Sequence, residues 1–144
     1  MSTPPDVVNF LYKVPMFQAL KKNQLERIAG RLTEREFPAG AQIVTQGQGG
    51  EGFFILYSGK ADVVRERSDG TRAVVNQIGK GDFLGELALL DNGLRTATAV
   101  TTEATRCLVL TRWDFLSLLR EDADMAVTIL EELAKRFRLA LDSL

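Results

Sequence analysis

Between Phe37 and Leu110 the chain is written in short runs rich in β-branched and aromatic residues, AQIVTQ, FFILYS, KADVVRE, RAVVNQI, TATAVT and TRCLVL, separated by glycines. Runs of this length and makeup read as strands, and several at close spacing point to a sandwich or a small barrel. Ser68-Asp69-Gly70 falls between two of them, and Asp-Gly supplies the positive φ angles that a tight hairpin turn needs. On either side the period changes. Upstream, Leu25, Ile28, Ala29 and Leu32 recur at helical spacing, after a break at Pro15 and a short apolar piece from Met16 to Leu20. Downstream, Trp113, Leu116 and Leu119 mark one helical segment, with Trp113 as its packing anchor, and residues 123–144 form a longer amphipathic one. The expected fold is mainly β with flanking α: a β-roll or jelly-roll barrel over 37–111, helices over 1–36 and 112–144, all in one domain.

Composition then removes whole classes of function. The 144 residues carry 18 basic and 19 acidic side chains, a formal net charge of -1, so no general basic character holds nucleic acid by its phosphates. Any anion site must be local. Cys107 is the only cysteine, which rules out an intramolecular disulfide and a thiolate-rich metal site and suits a reducing cytoplasm. Strand alternation places Cys107 with Val109 on one face, and a quiet packed thiol is expected there. The chain has no histidine and so lacks the commonest general base and the commonest metal and haem ligand. A non-enzyme with no cofactor and no metal is expected. The opening MSTPPD has no basic region followed by an apolar run, and no eighteen apolar residues occur together, so neither export nor a membrane segment is expected, and the localisation reads as cytoplasmic.

The chemistry concentrates in GDFLGELALLDNGLRTATAV, residues 81–100. A small helical piece, Glu86 to Leu90, is expected there, preceded by a glycine and followed by the turn Asp91-Asn92-Gly93. A helix start after glycine offers backbone N–H groups and a positive dipole end to a phosphate. Arg95 follows closely, and its planar fork matches two phosphate oxygens. Glu86 is acceptor-only, which beside an anion suits a donor such as a sugar hydroxyl. Taken alone, a glycine, a glutamate and an arginine also describe a solvated turn with an ion pair.

Order and spacing go further. The segment resembles the phosphate-binding cassette of the cyclic nucleotide-binding domain family, in which a short helix opened by Gly-Glu precedes an arginine and small β-forming residues. The resemblance continues upstream: FPAGAQIVTQGQGGEGFFILYSGKADV is similar to the family's leading strands, and LYKVPMFQALKKNQLERIAGRL to its N-terminal helical motif. It implies a cytoplasmic receptor for cAMP, or else cGMP, that does no chemistry on its ligand. It implies that Glu86 meets the ribose 2′-hydroxyl, and that Arg95 meets the exocyclic phosphate oxygens together with the N–H groups near Leu87 and Ala88. Gly85 would allow close backbone approach, and Thr96 would set a hydroxyl between phosphate and base. Val75, Asn76 and Leu84 are candidate base contacts. One departure is Leu94, where many members carry proline.

The same fold also serves, by resemblance, in haem, iron–sulfur and 2-oxoglutarate sensors, and a chain without histidine and with one cysteine has too few ligands for the metal arrangements. The alternative reading is a degenerate domain acting as an assembly module without nucleotide. Thr96 can accept from a guanine 2-amino group, yet serine or threonine there also serves cAMP in bacterial members, so cAMP is placed first and cGMP close behind. In the last helix, Leu130, Leu133, Phe137, Ala140 and Leu144 alternate three and four apart beside Val127, Ala134 and Leu141, an apolar surface wide enough for two partners. Phe137, Arg138 and Leu141 are lid candidates, and a homodimer or an output domain is the expected second partner. No recognition helix follows, so direct nucleic-acid binding is not expected. A free-standing receptor and a piece of a larger regulator both stay open.

Overall fold

The computed structural model describes residues 6–49, 52–91 and 93–144, and these form two compact units. The β unit runs from Leu32 to Arg112, and the helical unit joins the chain up to Arg31 with Trp113–Leu144.

The β unit contains two antiparallel sheets of four strands. In one, β1 (Thr33–Phe37), β8 (Thr105–Thr111), β3 (Gly52–Ser58) and β6 (Phe83–Leu84) lie side by side in that order. In the other the order is β2 (Gln42–Val44), β7 (Thr98–Thr101), β4 (Ala61–Glu66) and β5 (Arg72–Ile78). Alternation delivers one apolar face from each: Phe54, Leu56, Cys107 and Val109 from the first meet Ile43, Ala61, Ile78 and Ala99 from the second in a common core. Among the described residues no ladder joins the sheets, so the expected barrel is an open pair of sheets packed face to face. Phe53, Ile55, Leu108 and Leu110 are buried too, so β3 and β8 are covered on both faces, as their unbroken apolar runs require.

All six sequence runs hold strands, and two strands lie outside them. β1 begins at Thr33, inside the stretch expected to be helical. It is an edge strand, and edges carry charge that blocks further pairing; Arg106 on β8 donates to Glu34 at 2.7 Å across this exposed face. β6 is only two residues long, too short to show a period. The Asp69 carboxylate closes the β4–β5 hairpin by accepting the Thr71 N–H at 2.9 Å, as the Asp-Gly signal implies. Cys107 is fully buried, and burial pushes its thiol up to about 11, which keeps it protonated and quiet.

In the helical unit, α1 (Val7–Tyr12), a 3-10 turn (Pro15–Phe17), α2 (Lys22–Ala29), α4 (Arg112–Glu121) and α5 (Ala123–Asp142) share a core. α3 belongs to the β unit and is described with the site. Phe17 and Phe115 pack as tilted rings with centroids 5.8 Å apart, and Leu118, Met125 and Ile129 are buried with them. Trp113 is not the anchor expected of it: it is 77% exposed. Phe115 and Leu118, three apart, hold the inward stripe of α4, and a residue two before Phe115 falls on the opposite side of the helix. Among the described residues no helix is long and apolar enough to cross a membrane.

Asp122 sets the start of α5. Its carboxylate accepts the Met125 N–H at 3.0 Å and a guanidinium N–H of Arg27 at 2.8 Å, a capping arrangement that α2 reinforces. The Met125 bond, ahead of the Arg27 charge, holds this carboxyl below its ordinary 3.8. A lowered folded value means that the contribution is present above the unfolded value and lost as pH falls through the folded one. Asp122→Ala should therefore lower the melting temperature at pH 7, and its gap from wild type should narrow as pH falls below the ordinary carboxyl value of 3.8, followed by circular dichroism at 222 nm.

Candidate functional site

The segment between β6 and β7 has to change direction while passing over a side chain. At Gly85 the backbone takes φ +77, and a Cβ there would overlap the Arg95 guanidinium and approach the Gly52 carbonyl oxygen to 3.0 Å. Glycine is the residue that accepts both conditions. The Ala88 N–H then closes a turn on the Gly85 carbonyl at 3.1 Å, and α3 follows as a single helical turn, Ala88–Asp91. The helix thus starts two residues later than Glu86, because the glycine turn occupies those positions. One expected phosphate donor is consumed as a result: the Ala88 N–H belongs to the turn. Asp91 finishes the element by accepting the Gly93 N–H at 2.9 Å, while Asn92 of the expected turn lies outside the described residues.

Arg95 is only 8% exposed. Its guanidinium donates to the Gly52 carbonyl, and its backbone extends the pairing of β2 with β7: Arg95 N–H donates to Gln48 O, and Gly47 N–H to Arg95 O, both at 2.9 Å. The loop 45–49 that supplies these partners is itself fixed. The Gln46 N–H donates to Thr98 Oγ1 at 2.9 Å. Its side-chain amide makes two further bonds to one peptide position on β4, Nε2 to Glu66 O at 2.9 Å and Glu66 N–H to Oε1 at 2.7 Å. Gln46 therefore acts where a strand neighbour would, joining the loop beneath Arg95 to the β4–β5 hairpin. Nothing in TQGQ distinguishes this glutamine by type or spacing, and sequence reading passes over it.

Gly85, Glu86, Leu87, Ala88, Arg95 and Thr96 line one cavity of about 280 Å³. Glu86 is half-buried, and Thr96 and Leu87 are exposed at its rim. Arg95 also lines a second cavity of about 220 Å³, with Arg35, Phe37, Gln48 and Phe54. There the Arg35 guanidinium sits over the Phe37 ring, 5.2 Å from its centroid. Arg35 was not legible as part of a site because it stands among the alternating charges of an edge strand.

The candidate base contacts are placed elsewhere. Leu84 pairs with Phe54 and packs against the core cluster. Asn76 stands opposite Val63, on the core-facing side of its sheet, and its amide oxygen accepts the Gln77 N–H at 2.9 Å. Val75 is the extra residue of a bulge and is half exposed. None of the three lines either cavity bounded by Arg95. Phe137, Arg138 and Leu141 lie on α5 and are exposed. The inward face of that helix is set by Met125 and Ile129, and by Arg136, which donates to Pro15 O and Gln18 Oε1 at 3.3 Å each. The outward apolar stripe is consequently Val127, Leu130, Ala134, Phe137 and Leu141, with Leu133 half-buried beside it. The two sequence stripes merge into one because the inward face took residues from neither.

A family model described as the cyclic nucleotide-binding domain matches residues 34–122, covering most of the β unit and α4 and ending at the cap of α5. The chain belongs to that family. Among curated relatives, this cyclic nucleotide-binding domain is 33% identical over 124 residues to the cyclic AMP receptor protein of Thermus thermophilus, covering 86% of this chain and 57% of that protein. It is 36% identical over 114 residues to a cGMP-dependent protein kinase of Drosophila melanogaster, covering 77% of this chain and 12% of the kinase. Among solved structures, the N-terminal domain of a transcriptional regulator from Streptomyces coelicolor superposes with a TM-score of 0.85 at 27% identity, covering 94% of this chain and 96% of that one. The domain thus spans little more than half, or far less, of the curated relatives it matches.

Replacing Gln46 with alanine removes both bonds to Glu66 and should cost about 1 kcal/mol of stability. The sharper readout is local. Amide hydrogen exchange at Gly47 and Arg95 should accelerate, while the Cys107–Val109 core amides keep wild-type protection.

Proposed function

We propose that this domain is a receptor for a 3′,5′-cyclic nucleotide, cAMP ahead of cGMP, and that it reports occupancy to a partner without catalysis. The observation that carries the proposal is the gathering of Gly85, Glu86, Leu87, Ala88, Arg95 and Thr96 around one cavity whose only cation among the described residues is a largely buried guanidinium. A cyclic phosphate offers a monoanion with two exocyclic oxygens for a planar fork. In this reading Arg95 takes the exocyclic oxygens, held in direction by its bond to Gly52 O. The Leu87 N–H supports the same phosphate, and Glu86 accepts from the ribose 2′-hydroxyl. Ala88 serves by its small size, since its N–H is already used.

Thr96, at the rim, sets its hydroxyl between phosphate and base. It suits a guanine 2-amino group as well as an adenine nucleotide, and the relatives named for cAMP and cGMP are similarly distant. The cAMP preference rests on the bacterial receptor, which matches the larger part of this chain. A cytoplasmic setting accords with one buried thiol. The rival reading, an assembly module that keeps the fold and binds no nucleotide, separates cleanly in a thermal scan, because ligand at a hundred times its Kd adds about 2.7 kcal/mol to a receptor and nothing to a scaffold.

Arg95→Ala should weaken binding by about 2–5 kcal/mol, and Glu86→Gln by about 1–3 kcal/mol, both by calorimetric titration. Equal affinity of wild type and Arg95→Ala would sink the assignment. Competition of cAMP and cGMP against a fluorescent analogue fixes the base preference, and a cGMP preference that survives Thr96→Ala would clear Thr96 of responsibility.

Signal leaves through α5. Phe137, Arg138 and Leu141 are its candidates for closing over the base, and its exposed stripe is the surface offered to a second copy or an output domain. Ligand moves such a helix only through contacts made in one of its two arrangements. Hydrogen exchange over residues 131–144 should slow with saturating nucleotide; unchanged protection would remove α5 from the signal path.

A further inference from the structure

We infer that Gln46 is a positioning residue for nucleotide binding: its amide takes the place of Thr96 beside β4 and so leaves Arg95 and Thr96 to the ligand cavity. The inference rests on the reading of these two residues as ligand groups and names what sets their place.

The strand registers carry it. β7 lies between β2 and β4. Against β4 the ladder runs from Ala61↔Thr101 to Val64↔Thr98 and stops there; continued in the same register, it would set Glu66 opposite Thr96. Against its other neighbour the pairing goes on. Gly49 bridges Leu94, and the two peptide groups of Arg95 are bonded to Gly47 and Gln48. The segment ahead of β7 is therefore held on the side of the loop 45–49 and released on the side of β4, and Thr96 lies in a bend.

Release of Thr96 takes a strand neighbour from the Glu66 peptide at the end of β4. The Gln46 side chain supplies the substitute: Glu66 N–H donates to its Oε1 at 2.7 Å, and its Nε2 donates to Glu66 O at 2.9 Å. Glutamine suits this place because a planar amide offers a donor and an acceptor side by side, which a carboxylate does not. Reach matters as well. The Gln46 N–H is tied to Thr98 Oγ1 at 2.9 Å, which fixes where the side chain starts.

The pairing acts on the site in two ways. A Glu66 peptide whose donor and acceptor are both satisfied no longer draws Thr96 into the ladder. The loop 45–49 is also anchored to β4, so the Gly47 and Gln48 groups that receive Arg95 keep their place. Burial does little of this work, since Gly47, Gln48 and Gly49 are all exposed. An arginine placed beforehand binds its anion with less ordering of its side chain.

The first test needs no ligand. In the nucleotide-free protein, 15N relaxation should give Arg95 Nε an order parameter of about 0.85 in wild type and below about 0.6 in Gln46→Ala; equal values overturn the inference. The second is calorimetric titration with cAMP and with 2′-deoxy-cAMP, which lacks the hydroxyl assigned to Glu86. Gln46→Ala should weaken both by the same factor, about three- to tenfold. Unchanged affinity overturns the inference, and so does a loss confined to cAMP, which would place the effect at the ribose. Gln46→Asn keeps the amide but falls a methylene short of the Glu66 peptide, and it should behave as the alanine variant does; wild-type affinity and relaxation in that form would overturn the role of the paired bonds. A wild type that binds neither nucleotide fails the receptor reading, while the Arg95 relaxation decides the positioning by Gln46 separately.

Discussion

A guanidinium sunk into a small pair of sheets imposes conditions on everything near it. Removing a charge from water is expensive unless its donors are satisfied and its position is fixed. Backbone groups hold Arg95 in position. The Gly52 carbonyl accepts from its fork, Gly85 leaves the space it occupies, and both of its own peptide groups are tied to the loop 45–49. Gly52 opens β3, Gly85 follows β6, and the loop 45–49 precedes Gly52, so the cation draws together three segments of the chain.

That rigidity contrasts with α5. The helix begins from a charged cap, is held along one side, and presents the other side without cover among the described residues. Firm preorganisation at the cassette and an uncommitted apolar face on a terminal helix are complementary properties. The first allows recognition with little reordering, and the second gives an element whose partner can change at low internal cost, because the contacts of Met125, Ile129 and Arg136 need not be broken.

Legibility in the sequence followed physical signal strength. Runs such as FFILYS and TRCLVL declare buried strands by composition, and Asp69-Gly70 declares its hairpin by turn chemistry. TEREF hides an edge strand, because the charges that protect an edge also erase its apolar period. The open sheets were not separable from a barrel, since closure depends on hydrogen bonding between edges and not on the pattern within any strand. Trp113 misled by size: on a helix the inward face is set by phase with Phe115 and Leu118. In the cassette, residue types were readable but the helix start was not, because the turn at Gly85 depends on where the Arg95 side chain lies. Gln46 was invisible, as its role arises wholly from two peptide groups of a residue twenty positions away.

Gln46 has one more implication, which concerns tolerance to change in chain length. A loop bonded at Gln46, Gly47 and Gln48 to three different partners has its residue count fixed, since one inserted residue would move every later donor off its acceptor. The hairpin at Asp69 is closed by its own side chain, and its tip is bonded within itself, Arg67 N–H to Thr71 O and Gly70 N–H to Arg67 O. Members of this family are therefore expected to vary in length at that tip while keeping the interval from β2 to the arginine's loop partners constant, so that epitope tags or reporter segments belong at residues 68–70 and nowhere between 45 and 49.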